Sequence, residues 1–313
     1  MTDIVGRRYW YFLISALIII PGLIAMGIST ARFGSPLRLS IDFTGGALME
    51  LSFEQPVPPA GVRQVFVDRG YGDTVVQTTQ DDRTVLIRSK GLQDGEKVQI
   101  QEELQAKFGP LTELRFDQVG PTVGREVTRS AAIAIAAAAL VIMGFVIFAW
   151  RKVPHALRYG LCATVATFHD VLVTAGVFSI LGLLLGWEAD SLFLTAMLTV
   201  TGYSVQDTIV VFDRIRENVP KRRGEPYELI VNRSLLETIH RSLATQLNAI
   251  FVLIAILFFG GATIRQFSAT LIVGLLSGTY SSIFTAVPLL VAWEKGELGG
   301  FFRRLFGRSR ATA

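Results

Sequence analysis

Cysteine and histidine are scarce in this 313-residue chain: cysteine occurs once, as Cys162, and histidine three times. A single cysteine cannot form a disulfide within the chain, so cysteine usage leaves the redox compartment open. No two ligand-type residues stand four positions apart with a third nearby, which argues against a metal site. No nucleophile is matched with a base either. We therefore expect no metal, no cofactor and no enzyme activity.

Charged residues are also few. Asp, Glu, Lys and Arg make up 18% of the chain, whereas half of it is hydrophobic and its mean hydropathy is +0.45. Six stretches are almost free of charge over the roughly 20 residues that a membrane-spanning helix needs. They comprise residues 9–29, 130–150, 159–187, 191–212, 242–264 and 266–293. This pattern predicts an α-helical integral membrane protein with six transmembrane helices, whose first stretch is a retained anchor rather than a signal peptide.

The basic residues behind the net charge of +4 cluster beside these spans, which does not suggest a nucleic-acid partner. They flank the second and fourth spans and both termini, so the positive-inside rule makes both termini cytoplasmic. The predicted parts are the N-terminus with the first helix (1–30), an outside domain (31–128), five helices with a cytoplasmic segment at 214–237 (129–294), and a basic tail (295–313). We expect the tail to contact anionic membrane lipids.

The outside segment has the pattern of one small α+β domain. Alternating apolar residues and turn signals predict strands at 47–53, 74–79, 84–88 and 111–119, with a turn at 80–83. Helices are predicted at 59–69 and 95–108. The order βαββαβ is the ferredoxin-like arrangement, with helices on one face of an antiparallel sheet. The segment contains no His, no Cys and no carboxylate pair at a useful spacing, so we interpret it as a contact domain.

Two glycine-containing pieces bracket this domain, residues 41–46 (IDFTGG) and 119–126 (VGPTVGRE). Glycine adopts backbone angles that other residues resist. One interpretation is a pair of turns that join the sheet to two helices. The other is a hinge at the membrane surface that lets the domain swing. The candidate hinge residues are Gly45, Gly46, Gly120, Pro121 and Gly124.

Three polar centres lie at membrane depth: Asp207, Arg241 and the pair His169–Asp170. A carboxylate in lipid is costly and by default marks an ion or proton path. Asp207 lies roughly 9 Å inside the inner surface, and Arg241 reaches a similar depth if the fourth and fifth spans pack antiparallel. Desolvation favours a neutral acid, whereas a nearby guanidinium favours the ionised form. Movement of Arg241 would therefore switch the proton affinity of Asp207.

Each centre also has a structural interpretation. The aspartate of the fourth span could be a hydrogen-bonded acid that ties helices together. Asp170 could be held by Thr167 or Thr174, and its neighbour His169 could be a packing residue. Arg241 could extend to the inner headgroups. The residues alone leave these alternatives open.

Several motifs stand in one order along the chain. They are IDFTGG (41–46), VGPTVG (119–124), His169–Asp170, GYSVQDTIVVFDRIREN (202–218) and NRSLLETIHR (232–241). This set closely resembles the SecF family, the smaller subunits of SecD–SecF protein-export complexes in the RND superfamily. The resemblance covers nearly the whole chain, and the 202–218 motif is highly specific. Gln206 stands where many members have Asn, and Gln246–Leu247 departs from a Ser-rich continuation; both departures should alter local hydrogen bonding.

The resemblance implies a multi-pass protein of the bacterial inner (plasma) membrane with one periplasmic domain. Such proteins pair with SecD and assist preprotein movement through the SecYEG channel and SecA, and YajC is a further expected partner. Protons are the implied coupling ion, and their flow is thought to drive swings of periplasmic domains that meet the preprotein. Asp207 matches the family's essential intramembrane aspartate, and Arg241 matches its partner arginine. Because the chain resembles the SecF half alone, we expect SecD as a separate subunit.

Two other functions compete with this one. The first is half of an RND-type exporter of small molecules or lipids, which the small outside domain disfavours because it shows no large apolar region. The second is a structural assembly subunit, which charges buried in lipid disfavour. Dependence on a proton gradient separates the translocation subunit from the scaffold. The class of substrate separates it from the exporter.

Overall fold

The computed structural model describes residues 3–78, 82–93, 95–149 and 156–297. Most of the predicted basic tail and part of the predicted turn at 80–83 lie outside these residues. The chain divides into two compact units: one comprises Met1–Arg38 with Ala134–Ala313, and the other comprises Leu39–Ile133. The first is a helical unit and the second is an α+β unit.

The elements follow one another in a simple order. The helices are α1 (Arg8–Phe33), α2 (Ile41–Thr44), α3 (Pro59–Asp68), α4 (Glu96–Phe108), α5 (Pro121–Ala149), α6 (Ala156–Leu185), α7 (Ser191–Lys221), α8 (Tyr227–Phe259), α9 (Ala262–Ser281) and α10 (Val287–Glu294). The strands are β1 (Gly46–Phe53), β2 (Val75–Thr78), β3 (Thr84–Ser89) and β4 (Leu111–Val119).

Among the described residues, five helical segments are long and apolar enough to cross a membrane. They are Val5–Phe33, Pro121–Ala149, Leu157–Leu185, Tyr227–Phe259 and Ile264–Glu294. The fourth predicted span lies in α7, which is not among the five because its hydroxyl, amide and carboxyl side chains lower the mean hydropathy. Much of α7 is nevertheless buried in the helical unit, including Phe193, Ala196, Val200 and Phe212. The chain is thus a multi-pass membrane protein with five apolar candidate spans.

The connection between α7 and α8 is shorter than the predicted cytoplasmic segment at 214–237. Helix α7 continues to Lys221 and α8 begins at Tyr227. Pro226 stands directly before the first residue of α8, where a missing backbone N–H costs no helical hydrogen bond. Pro220 lies in the last turn of α7. These two prolines therefore mark the ends of helices rather than a long irregular segment.

Small residues let the helices meet at their backbones. A Cβ atom placed on Gly22 of α1 would lie 2.8 Å from the Cα of Gly176 in α6, and one on Gly274 of α9 would lie 2.0 Å from a methyl carbon of Val200 in α7. Such close approach is the usual basis of helix association in membranes, where apolar burial gives little gain over lipid.

The last span contains an irregular turn. Between α9 and α10, residues Ser282–Ala286 form a π-helical turn. Pro288 in the first turn of α10 has no N–H to donate and its ring crowds the preceding turn, so a widened turn before it accommodates the proline.

Helix α5 differs from its expected environment. Its alanine-rich sequence predicts a helix packed on both sides, but most of its side chains are exposed in this chain. Val146, near its end, is buried in the main apolar core, and Ile142 and Ala149 pack against that core. The small residues therefore leave a surface available to lipid or to another chain.

The α+β unit has the predicted element order. Its four-stranded antiparallel sheet has the order β2-β3-β1-β4, and a bulge interrupts the β1–β4 register between Glu50 and Leu51. Alternate residues of β1 enter a core with α3 and α4, which comprises Ala47, Met49, Leu51, Phe53, Val62, Phe66, Ile100 and Leu104 among others. The missed element is α2, whose four residues are too few to produce a periodic pattern.

A buried ion pair joins two connections within the helical unit. Arg38 follows α1 and donates from Nε to Glu188 Oε1 at 2.8 Å, with side-chain exposures of 16% and 6%. The backbone N–H of Ala189 also donates to the Arg38 carbonyl at 2.8 Å. Burial lowers the pKa of the Arg38 guanidinium, because desolvation disfavours its charged form.

We expect Arg38→Met to destabilise the helical unit by about 3 kcal/mol, because it removes the cationic partner of a buried carboxylate. Denaturant unfolding of the purified chain measures the loss. Arg216→Met is the matched control: Arg216 pairs with Asp213 on the surface at 45% exposure each, and such pairs contribute about 1 kcal/mol or less. Equal losses in the two variants would contradict the assignment.

Candidate functional site

Asp170 in α6 is the most completely bonded of the predicted site residues, and its side chain is fully buried. Its Oδ2 accepts hydrogen bonds from the hydroxyls of Ser204 in α7 at 2.5 Å and Ser281 in α9 at 2.6 Å. Its Oδ1 accepts from Ser277 of α9 at 2.6 Å and lies 3.1 Å from Nδ1 of His169. One carboxylate therefore connects three helices.

The two threonines considered as partners of Asp170 do not bond its carboxylate. The hydroxyl of Thr167 donates to the backbone carbonyl of Ala163, and that of Thr174 donates to the backbone carbonyl of Asp170. Neither reaches the carboxylate, because a threonine in a helix bonds most readily to the carbonyl one turn earlier. Serines of neighbouring helices take that place.

His169 extends the same cluster towards α1. Its Nε2 lies 3.1 Å from the hydroxyl of Ser15, and its ring stacks on that of Tyr280 with centroids 6.0 Å apart. The Tyr280 hydroxyl in turn donates to the backbone carbonyl of Tyr11 at 2.7 Å. His169 thus has the contacts of a packing residue. Its tautomer depends on which ring nitrogen donates a hydrogen bond and which accepts one.

Asp207 lies on the face of α7 that carries Ser204, one turn further along, and is 4% exposed. Its Oδ2 accepts a hydrogen bond from Nε2 of Gln246 in α8 at 2.7 Å. Gln246 is itself 2% exposed. A carboxylate this deeply buried, with one amide donor among the described residues, is far less satisfied than Asp170.

Arg241 does not meet Asp207 in this structure. Its side chain is exposed, and it forms no ion pair among the residues that the structure describes. The buried stripe of α8 runs through Leu235, Thr238, Ser242 and Gln246. Arg241 precedes Ser242 by one residue, which turns it about 100° away from that stripe. The position facing Asp207 belongs to Gln246 instead.

Gln246 is not among the predicted site residues, although it stands out in the sequence as a departure from the SecF pattern. The available signal was its spacing: four residues after Ser242, it continues one helical stripe of polar side chains. The α9 serines that bond Asp170 stand at helical spacing, which is typical of a packing face of small residues. Their hydroxyls, rather than their size, bring them into the site.

The glycine pieces meet within the α+β unit. Gly45 and Gly46 have φ values of +73° and +130°, which favour glycine. A Cβ on Gly45 would lie 2.9 Å from the Cα of Pro121, and one on Gly124 would lie 2.8 Å from the backbone N of Gly45. Pro121 and Gly124 belong to the first turns of α5. The two motifs thus pack backbone against backbone.

We expect Gly124→Ala to lower the stability of the α+β unit by about 1–3 kcal/mol, because the new methyl group would overlap the backbone of Phe43 and Gly45. Thermal unfolding of the purified chain tests this. Gly120→Ala is the control, since a Cβ there meets nothing within 4 Å. A loss of stability at Gly120 equal to that at Gly124 would show that the contact is not the cause.

Two family models match this chain. One described as "Protein export membrane protein SecD/SecF, C-terminal" matches residues 99–296, more than half of the chain, and one described as "SecD/SecF GG Motif" matches residues 33–57. The chain belongs to the SecD/SecF family. The second match contains Gly45 and Gly46, so the junction described above includes the family's glycine motif.

SecF proteins are similar to this chain over its full length. The protein translocase subunit SecF of Thermobaculum terrenum is 48% identical over 323 residues, covering 100% of both chains. That of Anaerolinea thermophila is 47% identical, covering 97% of this chain and 98% of the relative. A role in SecD/SecF protein translocation follows from this similarity.

Solved SecDF structures share the fold. The crystal structure of SecDF, a translocon-associated membrane protein from Thermus thermophilus, superposes with a TM-score of 0.78 at 33% identity, covering 94% of this chain and 39% of that one. SecDF in its super-membrane-facing form gives a TM-score of 0.66 at 31% identity, covering 97% and 40%. The chain spans about two fifths of the SecDF length.

Proposed function

We propose that this protein is the SecF subunit of a SecD–SecF complex that uses the proton-motive force to assist late steps of preprotein translocation through SecYEG and SecA. One observation carries the proton coupling: Asp207 is a carboxylate buried between membrane helices with a single amide donor among the described residues. A group in that position can bind a proton without breaking an ion pair. Protons are the coupling ion, and no other cofactor is needed.

Six spans complete the proposed architecture. Helix α7 is the additional span, because α6 and α8 supply partners for its polar groups and thereby lower the cost of placing them at membrane depth. The α+β unit is proposed to be ferredoxin-like and periplasmic, since its strand order and element order fit that arrangement. Both termini are then on the cytoplasmic side of the bacterial inner membrane.

The proposed cycle has two states of Asp207. In the first, Gln246 is its hydrogen-bond partner, as in this structure. In the second, α8 turns so that Arg241 approaches the carboxylate and favours its ionised form. One proton crossing the membrane supplies about 2.3 kcal/mol per 100 mV. That energy biases a conformational equilibrium by roughly fifty-fold.

The proposed partners follow from the same role. SecD is the obligate partner in the membrane, and the exposed small-residue surface of α5 offers one place for it. SecYEG, SecA and YajC belong to the same assembly, and the translocating preprotein meets the periplasmic unit. Swinging of that unit about Gly45, Gly46, Gly120, Pro121 and Gly124 is the proposed output.

A structural assembly role is the second candidate, and the Asp170 cluster favours it. A carboxylate bonded by serines from two other helices ties the bundle together without any need to titrate. The two roles differ in one respect: a scaffold supports export equally well with and without a proton gradient.

The test measures release of an exported protein from spheroplasts that contain or lack this chain, with and without an uncoupler. We expect the chain to increase release severalfold when the gradient is present and to have little effect when it is collapsed. A gradient-independent increase would favour the scaffold. Export of a small hydrophobic compound in place of a protein would favour the RND-type exporter.

A further inference from the structure

The amide of Gln246 has an unusual imbalance. Its Nε2 donates to Asp207, whereas its Oε1 is buried and accepts no hydrogen bond from any described residue. An unpaired buried acceptor costs about 1–3 kcal/mol. One turn earlier on the same stripe, the buried hydroxyl of Ser242 also has no partner among the described residues. This side of Asp207 is therefore incompletely satisfied in the observed arrangement.

A cavity of about 300 Å³ adjoins Gln246 between α8 and the last span. Its lining is almost entirely aliphatic and aromatic. The Thr279 hydroxyl donates to the carbonyl of Leu275, and that of Tyr280 donates to the carbonyl of Tyr11. Both hydroxyl groups are thus engaged with backbone carbonyls, so the space beside Gln246 is mainly apolar.

We propose that Gln246 is a positioning residue whose amide reverses when Asp207 takes up a proton. Toward an ionised Asp207, Nε2 donates, as observed. Toward a protonated Asp207, the carboxylic acid O–H donates to Oε1, and Nε2 turns away from the carboxyl group. The proton binds a carboxylate oxygen of Asp207, and the Gln246 amide neither gains nor loses a proton.

A glutamine suits this task because one side chain carries both a donor and an acceptor at its tip. The other charged or titratable residues near Asp207 do not offer it both a donor and an acceptor. Asp170, in α6, already accepts hydrogen bonds from three serine hydroxyls and lies beside His169. Arg241 is exposed on another face of α8. Neither α9 nor the π-helical turn presents a charged side chain among the residues that line the cavity. The inference rests on the proposed protonation of Asp207.

Infrared spectroscopy of the purified complex with SecD tests the pairing directly. The carbonyl stretch of a protonated carboxyl group is followed through a pH titration, and the part lost in Asp207→Asn is assigned to Asp207. In Gln246→Met, which keeps the side-chain length but lacks the amide, we expect this band to move to higher wavenumber because the acid O–H loses its acceptor. Gln246→Leu is the second variant, and Thr245→Val, an exposed neighbour, is the control.

Export assays provide the second readout. Loss of one hydrogen bond to a charged group corresponds to about tenfold or more, so gradient-dependent export should fall at least tenfold in Gln246→Met and remain near wild type in Thr245→Val. An Asp207 band at the wild-type position in both Gln246 variants would overturn the inference and leave the proton role of Asp207 intact. Gradient-dependent export that survives Asp207→Asn would instead overturn the proposed function, whatever the band does.

Discussion

Replacing Asp207 with asparagine is expected to remove the gradient-dependent part of protein export and to leave assembly with SecD unchanged. Asparagine has nearly the same shape, and its Oδ1 can accept the hydrogen bond that Gln246 Nε2 now gives to the carboxylate. The local packing therefore survives. An amide cannot take up and release a proton near neutral pH, so the energy of about 2.3 kcal/mol per 100 mV is no longer captured.

The measurement compares export from spheroplasts or inverted vesicles with and without a proton gradient, after equal recovery of the complex has been verified by co-purification. Asp213→Asn is the matched control, because it is the same substitution on the same helix. Asp213 pairs with Arg216 on the surface, with 45% side-chain exposure, so its charge contributes little. If Asp207→Asn retained full gradient dependence, Asp207 would be a packing residue and the scaffold role would take precedence.

The position of Arg241 in the structure limits how this residue could pair with Asp207. A fixed Asp207–Arg241 pair would hold the carboxylate ionised, whereas here the guanidinium is exposed and the amide of Gln246 takes its place. Arg241 and Gln246 are five positions apart and so point about 140° apart around α8. The proposed exchange between them is therefore a rotation of the helix or an extension of the arginine side chain, and not a change of rotamer at Asp207.

The α+β unit was predictable almost residue by residue, and the helical site was not. Alternation along β1 specifies which side chains enter the core, because a strand has two faces and one is buried. Helix α8 offers no such certainty. Arg241, Ser242, Thr245 and Gln246 are all polar, so the pattern does not specify which of them faces α7. That choice depends on contacts with α7 and α9, which lie far away in the sequence.

A similar limit applies to Asp170. Its depth in the membrane was readable from the sequence, but its partners come from positions 34, 107 and 111 residues away. The sequence alone therefore offered the threonines of its own helix as possible partners and left the question open. For the serines themselves, small size and hydrogen-bonding capacity cannot be separated until the neighbouring helix is known.

Asp170→Ala is expected to destabilise the helical unit by about 2–3 kcal/mol. The substitution removes the acceptor of three serine hydroxyls and the partner of His169. An average interhelical hydrogen bond in a membrane contributes about 0.6 kcal/mol; three are lost together, and the contact with His169 in the same helix is lost as well. Denaturant unfolding of the purified chain measures the loss, with Thr245→Val as a control because its exposed hydroxyl bonds within its own helix.

Asp170→Asn then separates the structural role from a proton-carrying one. Asparagine keeps one carbonyl oxygen for the serines, and its amide can donate to the oxygen of another, so the loss of stability should be smaller than for alanine. If Asp170 works through its hydrogen bonds, Asp170→Asn should retain most of the gradient-dependent export that Asp207→Asn loses. A stable Asp170→Asn protein without that export would place both carboxylates on the proton path, because each would then be needed in a form that can ionise.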